Sequence, residues 1–305
     1  MGFCGKENMR NNFVATLSEI VSNDEKVILL LGDISVYAFN HLSSAYPDRV
    51  KNIGILEQST IGFMAGLAFE GFHPIFHTIA PFGVERCLEQ LKLDFGYQNL
   101  KGSFITVGAS YDYVSLGPSH HAPGDVQCLL SIPNFSIVVP GSGPEFDSLF
   151  RQSYGKDNVY YRLSNQENIS SQKVIYGKGT IIVPKSEDSE VTVLVVGPML
   201  DLVMKATNHS SRYNIIYYTT MEPFDSNLLY GQSCKNVVIV SPFYEGTIVP
   251  MVVKTLQEKQ VSIYDFSIPK NFIDQNGTVK DYSLTPVRLK TILDNLYWKQ
   301  WFFRK

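Results

Sequence analysis

Cysteine is scarce in this chain, with four in 305 residues, at positions 4, 87, 128 and 234. They form no CxxC pair and no metal-ligand spacing, which argues against a disulfide scaffold and a thiolate zinc site. Free thiols in a reducing cytoplasm fit this usage, and no surrounding arrangement marks any cysteine as a nucleophile. Positive charge is not in excess either. The 26 Lys and Arg against 29 Asp and Glu leave a net charge of −3, and no basic stripe interleaves with aromatics, so a nucleic-acid partner is not expected. Long apolar runs are missing as well. Stretches such as Val27–Leu31 (VILLL) and 193–196 are far too short to cross a bilayer, so no membrane partner is expected. The amino terminus, MGFCGKENMR, has no apolar h-region, which argues against a secretory signal. Its first six residues resemble a lipidation start, but Lys6 stands where Ser or Thr is needed, so the likeness reads as chance.

What is present is an ordinary globular balance of 44% hydrophobic and 18% charged residues, enough for one large or two moderate domains. Strand-like and helix-like segments alternate. VILLL reads as a buried parallel strand ending at Gly32-Asp33, 59–70 as a helix, 74–76 as a strand, 82–93 as a helix, and 104–107, 137–139 and 158–162 as further strands. A polar stretch at 185–190 has linker character. After it, VTVLVVG opens a second run with a helix over 199–208 and strands at 214–218 and 236–240. The expectation is an α/β fold with two mainly parallel sheets and domains at 1–185 and 186–305. Ligands of such sheets bind at the carboxyl ends of the strands. Gly32-Asp33, the stretch 54–57, Thr78 and Gly108 all follow strand-like runs.

One acid is out of place. In KNIGILEQSTIGFMAGLAFEG, residues 51–71, Glu57 sits among apolar and small residues with no cation within five positions on either side. A helix-start carboxylate gains about 0.3–1 kcal/mol from the helix dipole and need do nothing more. Yet Gly62 and Gly66 weaken this helix while allowing another backbone to approach. A carboxyl group removed from water stays protonated more readily and can donate a hydrogen bond to a heterocycle nitrogen.

At this stretch the chain resembles the transketolase family, which includes deoxyxylulose-phosphate synthase. NIGILEQSTIGFMAGLAFEG is similar to the family's N-x-G-I-x-E-Q…G-x-A…G segment. LGPSHHAPGDVQCLLSIPNFSIVVP, residues 116–140, is similar to its D-G-P-[ST]-H…IPN…P run. PFGVERCLEQL resembles the F-x-x-x-R-x-x-E-Q stretch of split transketolases, and VYYRLSNQ stands where the family has its L-S-R-Q strand. The resemblance implies a thiamine-diphosphate enzyme in which Glu57 bonds the pyrimidine ring. It also implies that Phe82 packs on that ring with Ile79 in a neighbouring position, that Asp33 follows the first strand at the cofactor edge, and that His120 reaches the reacting carbons. His121 resembles a second histidine of some members.

The family's G-D-G…N diphosphate motif is not found, since Ile34 follows Gly32-Asp33. The resemblance therefore covers the pyrimidine-binding and C-terminal domains. It implies a beta-like subunit whose separate partner brings the diphosphate site and Mg2+ or Ca2+, in an α2β2 assembly. No metal ligand is expected in this chain. The substrate end departs from the family. Leu116 replaces the Asp that contacts a donor hydroxyl, Gly108 replaces a phosphate-side His, Asn165 replaces the phosphate-binding Arg, and Tyr37 aligns with a phosphate-touching Ser. Arg162 remains close by in the strand. Losing fork-shaped guanidinium contacts weakens phosphate recognition, so the expectation is ketol transfer between sugars with an atypical substrate. A 2-oxoacid dehydrogenase beta subunit and a non-catalytic regulatory subunit stay open as alternatives.

Overall fold

Runs of consecutive apolar residues form the central strands, as expected where both faces of a parallel sheet are covered. The computed structural model describes residues 8–273 and 284–303; Cys4 and the MGFCGK start lie outside them. The first sheet contains β1 (Val27–Leu31), β2 (Val50–Asn52), β3 (His73–Ile79), β4 (Gly102–Val107), β5 (Ser136–Val138) and β6 (Asn158–Arg162). The second contains β7 (Thr180–Val183), β8 (Val191–Val196), β9 (Tyr213–Tyr218), β11 (Asn236–Tyr244) and β12 (Ser262–Ile268), while β10 (Thr220–Glu222) returns to the first. The orders are β10-β5-β6-β4-β3-β1-β2 and β12-β11-β8-β9-β7. Every pairing is parallel except β10 on β5 and β7 on β9. The fold is thus α/β with two mainly parallel sheets.

Side chains alternate across each strand, so β1 feeds both layers. Leu29 and Leu31 join α1 (Met9–Asn23) and the helix Gly143–Ser153 in one core. Ile28 and Leu30 join Ile61 and Met64 of the helix Glu57–Phe69 in the other. Both cores run on into the second sheet, through Val193 and Val195 on one side and Leu194 and Val196 on the other.

Two details differ from the expectation. The second sheet starts at Thr180, ahead of the expected boundary at 185/186, because β7 pairs with β9. The helix expected over 82–93 is broken into Ala80–Gly83, a turn, Leu88–Gln90 and a π-helical stretch Leu91–Tyr97. Its start is pressed onto the sheet, where a Cβ on Gly83 would lie 2.8 Å from Thr78 Cγ2 and 3.0 Å from Thr106 Cγ2. Among the described residues no helix is long and apolar enough to cross a membrane.

Candidate active site

The site lies at the carboxyl ends of β1, β3, β4 and β6. Beyond β1 the chain turns sharply through Asp33 and Ser35, both with positive φ (57° and 59°). Such backbone persists when its surroundings over-determine it, and here two side chains do so. Asn52 Oδ1 accepts from the Asp33 N–H at 3.0 Å and from the Gly54 N–H at 3.2 Å, while its amide donates to Asp33 Oδ1 at 3.0 Å. Asn52 therefore ties the Asp33 turn to the loop that leads into Glu57. Arg10 donates to Ser35 Oγ at 2.9 and 3.2 Å, and that oxygen lies 2.8 Å from His77 Nε2. Burial lowers the His77 pKa to about 3. The neutral ring then donates from Nδ1 to the Ile105 carbonyl at 3.0 Å and accepts the Ser35 hydroxyl. Arg10 is thus a cation anchored at this edge.

Glu57 opens its helix and is only 3% exposed. Its one cationic partner among the described residues is remote in sequence. Arg86 Nη1 donates to Glu57 Oε2 at 2.9 Å, 29 residues on. The same guanidinium lies 4.1 Å from the centroid of Phe82, and His120 meets Phe82 edge-on at 5.0 Å. The structure thus brings Glu57, Phe82 and His120 together. It adds Arg86, the arginine of the F-x-x-x-R-x-x-E-Q stretch, whose pairing with Glu57 the motif did not show. The cation that the five positions on either side of Glu57 lack is thus supplied by the fold. Burial, reinforced by the charge of Glu57, pushes the neighbouring Cys87 thiol up to about 12 and keeps it a thiol.

At the substrate end the residues separate. Gly108 has φ +79°, and a Cβ there would lie 2.5 Å from the Tyr113 ring and 3.0 Å from Ile79 Cγ2. Tyr113 therefore fills the space beside Gly108, and Ile79 packs against the same backbone. Leu116 is 55% exposed. His120 lies 3.1 Å, through Nδ1, from Ser119 Oγ. His121 turns inward onto Tyr111 and the Val114 carbonyl, and burial lowers its pKa. Arg162, expected near substrate, is instead 1% exposed and paired with Asp125 at 2.7 Å. It is a strut in the interior. Asn165 is exposed, and its N–H donates to Asp112 Oδ2 at 2.8 Å.

Asp112 was not singled out by the sequence. Burial pushes its carboxyl from 3.8 up to about 6, against the opposing Asn165 N–H and the charge of Arg162. Between those two values the folded chain holds a proton that the unfolded chain has lost. Stability should therefore fall as pH rises from about 4 to 6. Asp112→Asn is expected to flatten that part of the profile of melting temperature against pH. An unchanged profile would show that water reaches this carboxyl group.

The fold is that of an α/β protein, with a candidate ligand site at the ends of its parallel strands. The family model described as transketolase, pyrimidine binding domain, matches residues 6–169, and the chain belongs to that family. An uncharacterized 33.6 kDa protein in the fasciation locus of Rhodococcoides fascians is 35% identical over 281 residues, 90% of this chain and 89% of that protein. An apulose-4-phosphate transketolase subunit of Actinobacillus succinogenes is 25% identical over 244 residues, 77% of this chain and 78% of the relative. A solved structure described as a split-gene transketolase, an inactive beta4 tetramer, shares the fold with a TM-score of 0.83 at 20% identity, covering 96% of this chain and 98% of that one.

Proposed function

We propose that the chain is the beta-like subunit of a split, thiamine-diphosphate-dependent transketolase-type enzyme that moves a two-carbon ketol unit between sugars. The observation that carries this reading is the buried Glu57 at a helix start, linked through Arg86 to the Phe82 ring, with His120 on the same ring. A carboxyl group screened from water next to an aromatic face suits an aminopyrimidine, which needs one directional hydrogen bond and one stacking surface. Thiamine diphosphate supplies, when bound, the carbon nucleophile and electron sink of ketol transfer. Glu57 holds the ring nitrogen, Phe82 orients the ring, and His120 exchanges protons with substrate hydroxyls. Asp33 and Ile79 frame the same edge.

The diphosphate and its Mg2+ or Ca2+ belong, in this reading, to a separate G-D-G…N chain, within an α2β2 assembly. The helix from Glu57 offers a face for that chain. Ser59, Gly62, Phe63, Gly66 and Phe69 are all exposed along it, and the two glycines each cost roughly 1 kcal/mol of helix propensity relative to Ala. A Cβ at Gly66 would meet nothing within 4 Å in this chain. Gly66→Leu should therefore leave the lone chain at least as stable, yet abolish co-purification with the partner. Retained association would place the partner elsewhere, and loss of self-association alone would assign the face to a second copy.

The substrate end lacks the family's full set of phosphate ligands. Tyr113 stands beside Gly108, and Asn165, whose backbone N–H bonds Asp112, carries an uncharged amide where the family has an arginine. The sugars are accordingly read as unphosphorylated or as carrying their charge elsewhere, as in a nucleotide-linked sugar. The test is a donor and acceptor screen on the two-chain complex with thiamine diphosphate and magnesium. Use of xylulose 5-phosphate and ribose 5-phosphate at ordinary transketolase rates would overturn the atypical substrate. An acyl-lipoamide product from a 2-oxoacid would overturn ketol transfer itself.

A further inference from the structure

We infer that Arg86 occupies the coenzyme's pyrimidine seat in the unloaded chain and must leave it before the ring can enter. The inference rests on the coenzyme reading above and adds a residue that controls loading. A guanidinium is a planar cation with an N–C–N fork that donates to carboxylates and stacks on aromatic rings. An aminopyrimidine ring protonated on nitrogen likewise presents an in-plane N–H donor and a flat face. Arg86 already makes both contacts such a ring would need, one to Glu57 Oε2 at 2.9 Å and the other over Phe82 at 4.1 Å. Two planar groups cannot both fill the space that Arg86 takes up between that carboxylate oxygen and that ring face.

The asymmetry of burial shows which group moves. Glu57 is fixed in the interior at the head of its helix, whereas the Arg86 side chain is 42% exposed and has solvent to swing into. The pairing also has a purpose before loading. A buried carboxylate left without a partner is strongly unfavourable, and no other ion pair to Glu57 exists among the described residues. Arg86 keeps the carboxylate satisfied until the ring replaces it. The consequence is a lower apparent affinity, because the coenzyme binds only the fraction of molecules whose seat is open.

The test is calorimetric titration of thiamine diphosphate, with magnesium, into the complex of the full chain with its diphosphate-binding partner. Wild type, Arg86→Ala and Arg86→Lys are compared, with thermal melts to confirm folding. Arg86→Ala is expected to bind the coenzyme more tightly, by on the order of tenfold if the seat is open about a tenth of the time. Arg86→Lys, which keeps the charge but not the planar fork, should tighten it by less. If Arg86→Ala does not fold, the lysine variant alone decides. The observed loading rate should level off with coenzyme concentration in wild type, at the opening rate of Arg86, and keep rising in Arg86→Ala. Unchanged or weaker binding in the variants would overturn the inference, because Arg86 would then support Glu57 in the loaded state. Absence of binding in every form would overturn the coenzyme reading and this inference together, an outcome distinct from binding by the wild type alone.

Discussion

Glu57→Gln is expected to lower the turnover of the proposed two-chain enzyme by about 10²–10⁴-fold, the range typical of a lost acid–base group. The melting temperature of the chain should stay close to that of wild type. The two expectations come from different parts of the structure. Gln is nearly isosteric with Glu, and its carbonyl can still accept from Arg86 where Oε2 now accepts at 2.9 Å. The buried residues Ile61, Met64 and Ala65 of the same helix are untouched. What is lost is the capacity to share a proton with a ring nitrogen, which an amide does not have. Turnover measured with the donor and acceptor found in the screen, beside a circular-dichroism melt, separates these effects. An undiminished rate would favour the reading of the chain as a scaffold that keeps the fold without taking part in chemistry. A lost fold would show that the Glu57–Arg86 pair is chiefly structural.

Much of the architecture is legible in the sequence because the central strands are almost wholly apolar. VILLL and VTVLVV have no solvent-facing residue, and both are buried along their whole length. The less regular parts left weaker traces. β10 has three residues and takes its place from β5, far away in the chain. The helical pattern after Phe82 is genuine as periodicity, but Gly83 lies too close to Thr78 and Thr106 for a regular helix to be read from pattern alone.

In the candidate site, Glu57, Phe82 and His120 each stand in an ordered motif of the sequence. The contacts between remote residues are not legible there. The contact of Arg86 with Glu57 spans 29 residues, and that of Arg162 with Asp125 spans 37. Aligning Gly108 with a larger residue shows a missing side chain, but not that Tyr113, five residues on, has taken up the space. Pairwise contacts between remote positions are set by the fold, and a single sequence holds them only implicitly.

The Arg162–Asp125 strut has the largest expected effect on stability. Asp125 is 0% and Arg162 1% exposed, with Nε donating to Oδ2 at 2.7 Å. The Tyr160 hydroxyl donates to the same oxygen at 2.7 Å, and burial together with the Asp125 charge raises the phenol pKa so that it remains a donor. Arg162 Nη2 also donates to the Ala122 carbonyl at 2.9 Å and to Ser110 Oγ at 3.0 Å, and the guanidinium lies 5.0 Å from the Phe243 ring centroid in β11. The strut thereby joins β6, both ends of the loop that carries His120, and the second sheet. Removing one member leaves a buried charge unpaired, so Arg162→Met or Asp125→Leu should each cost about 3–5 kcal/mol. The double variant Arg162→Met, Asp125→Leu should cost less than the sum of the two single changes, since no orphan charge remains. Urea unfolding followed by fluorescence and by far-ultraviolet circular dichroism checks both statements, and coincidence of the two probes is needed before a single free energy is assigned. Additive losses would mean that water screens the pair. A double variant that recovers stability but not turnover would show what the strut adds beyond packing. Ser110 pairs with Ala122 across the neck of the His120 loop, and Arg162 bonds to both residues. Replacing the guanidinium by a methyl thioether fills the volume but releases the loop, so His120 would lose its fixed approach to Phe82 while the two sheets stay together.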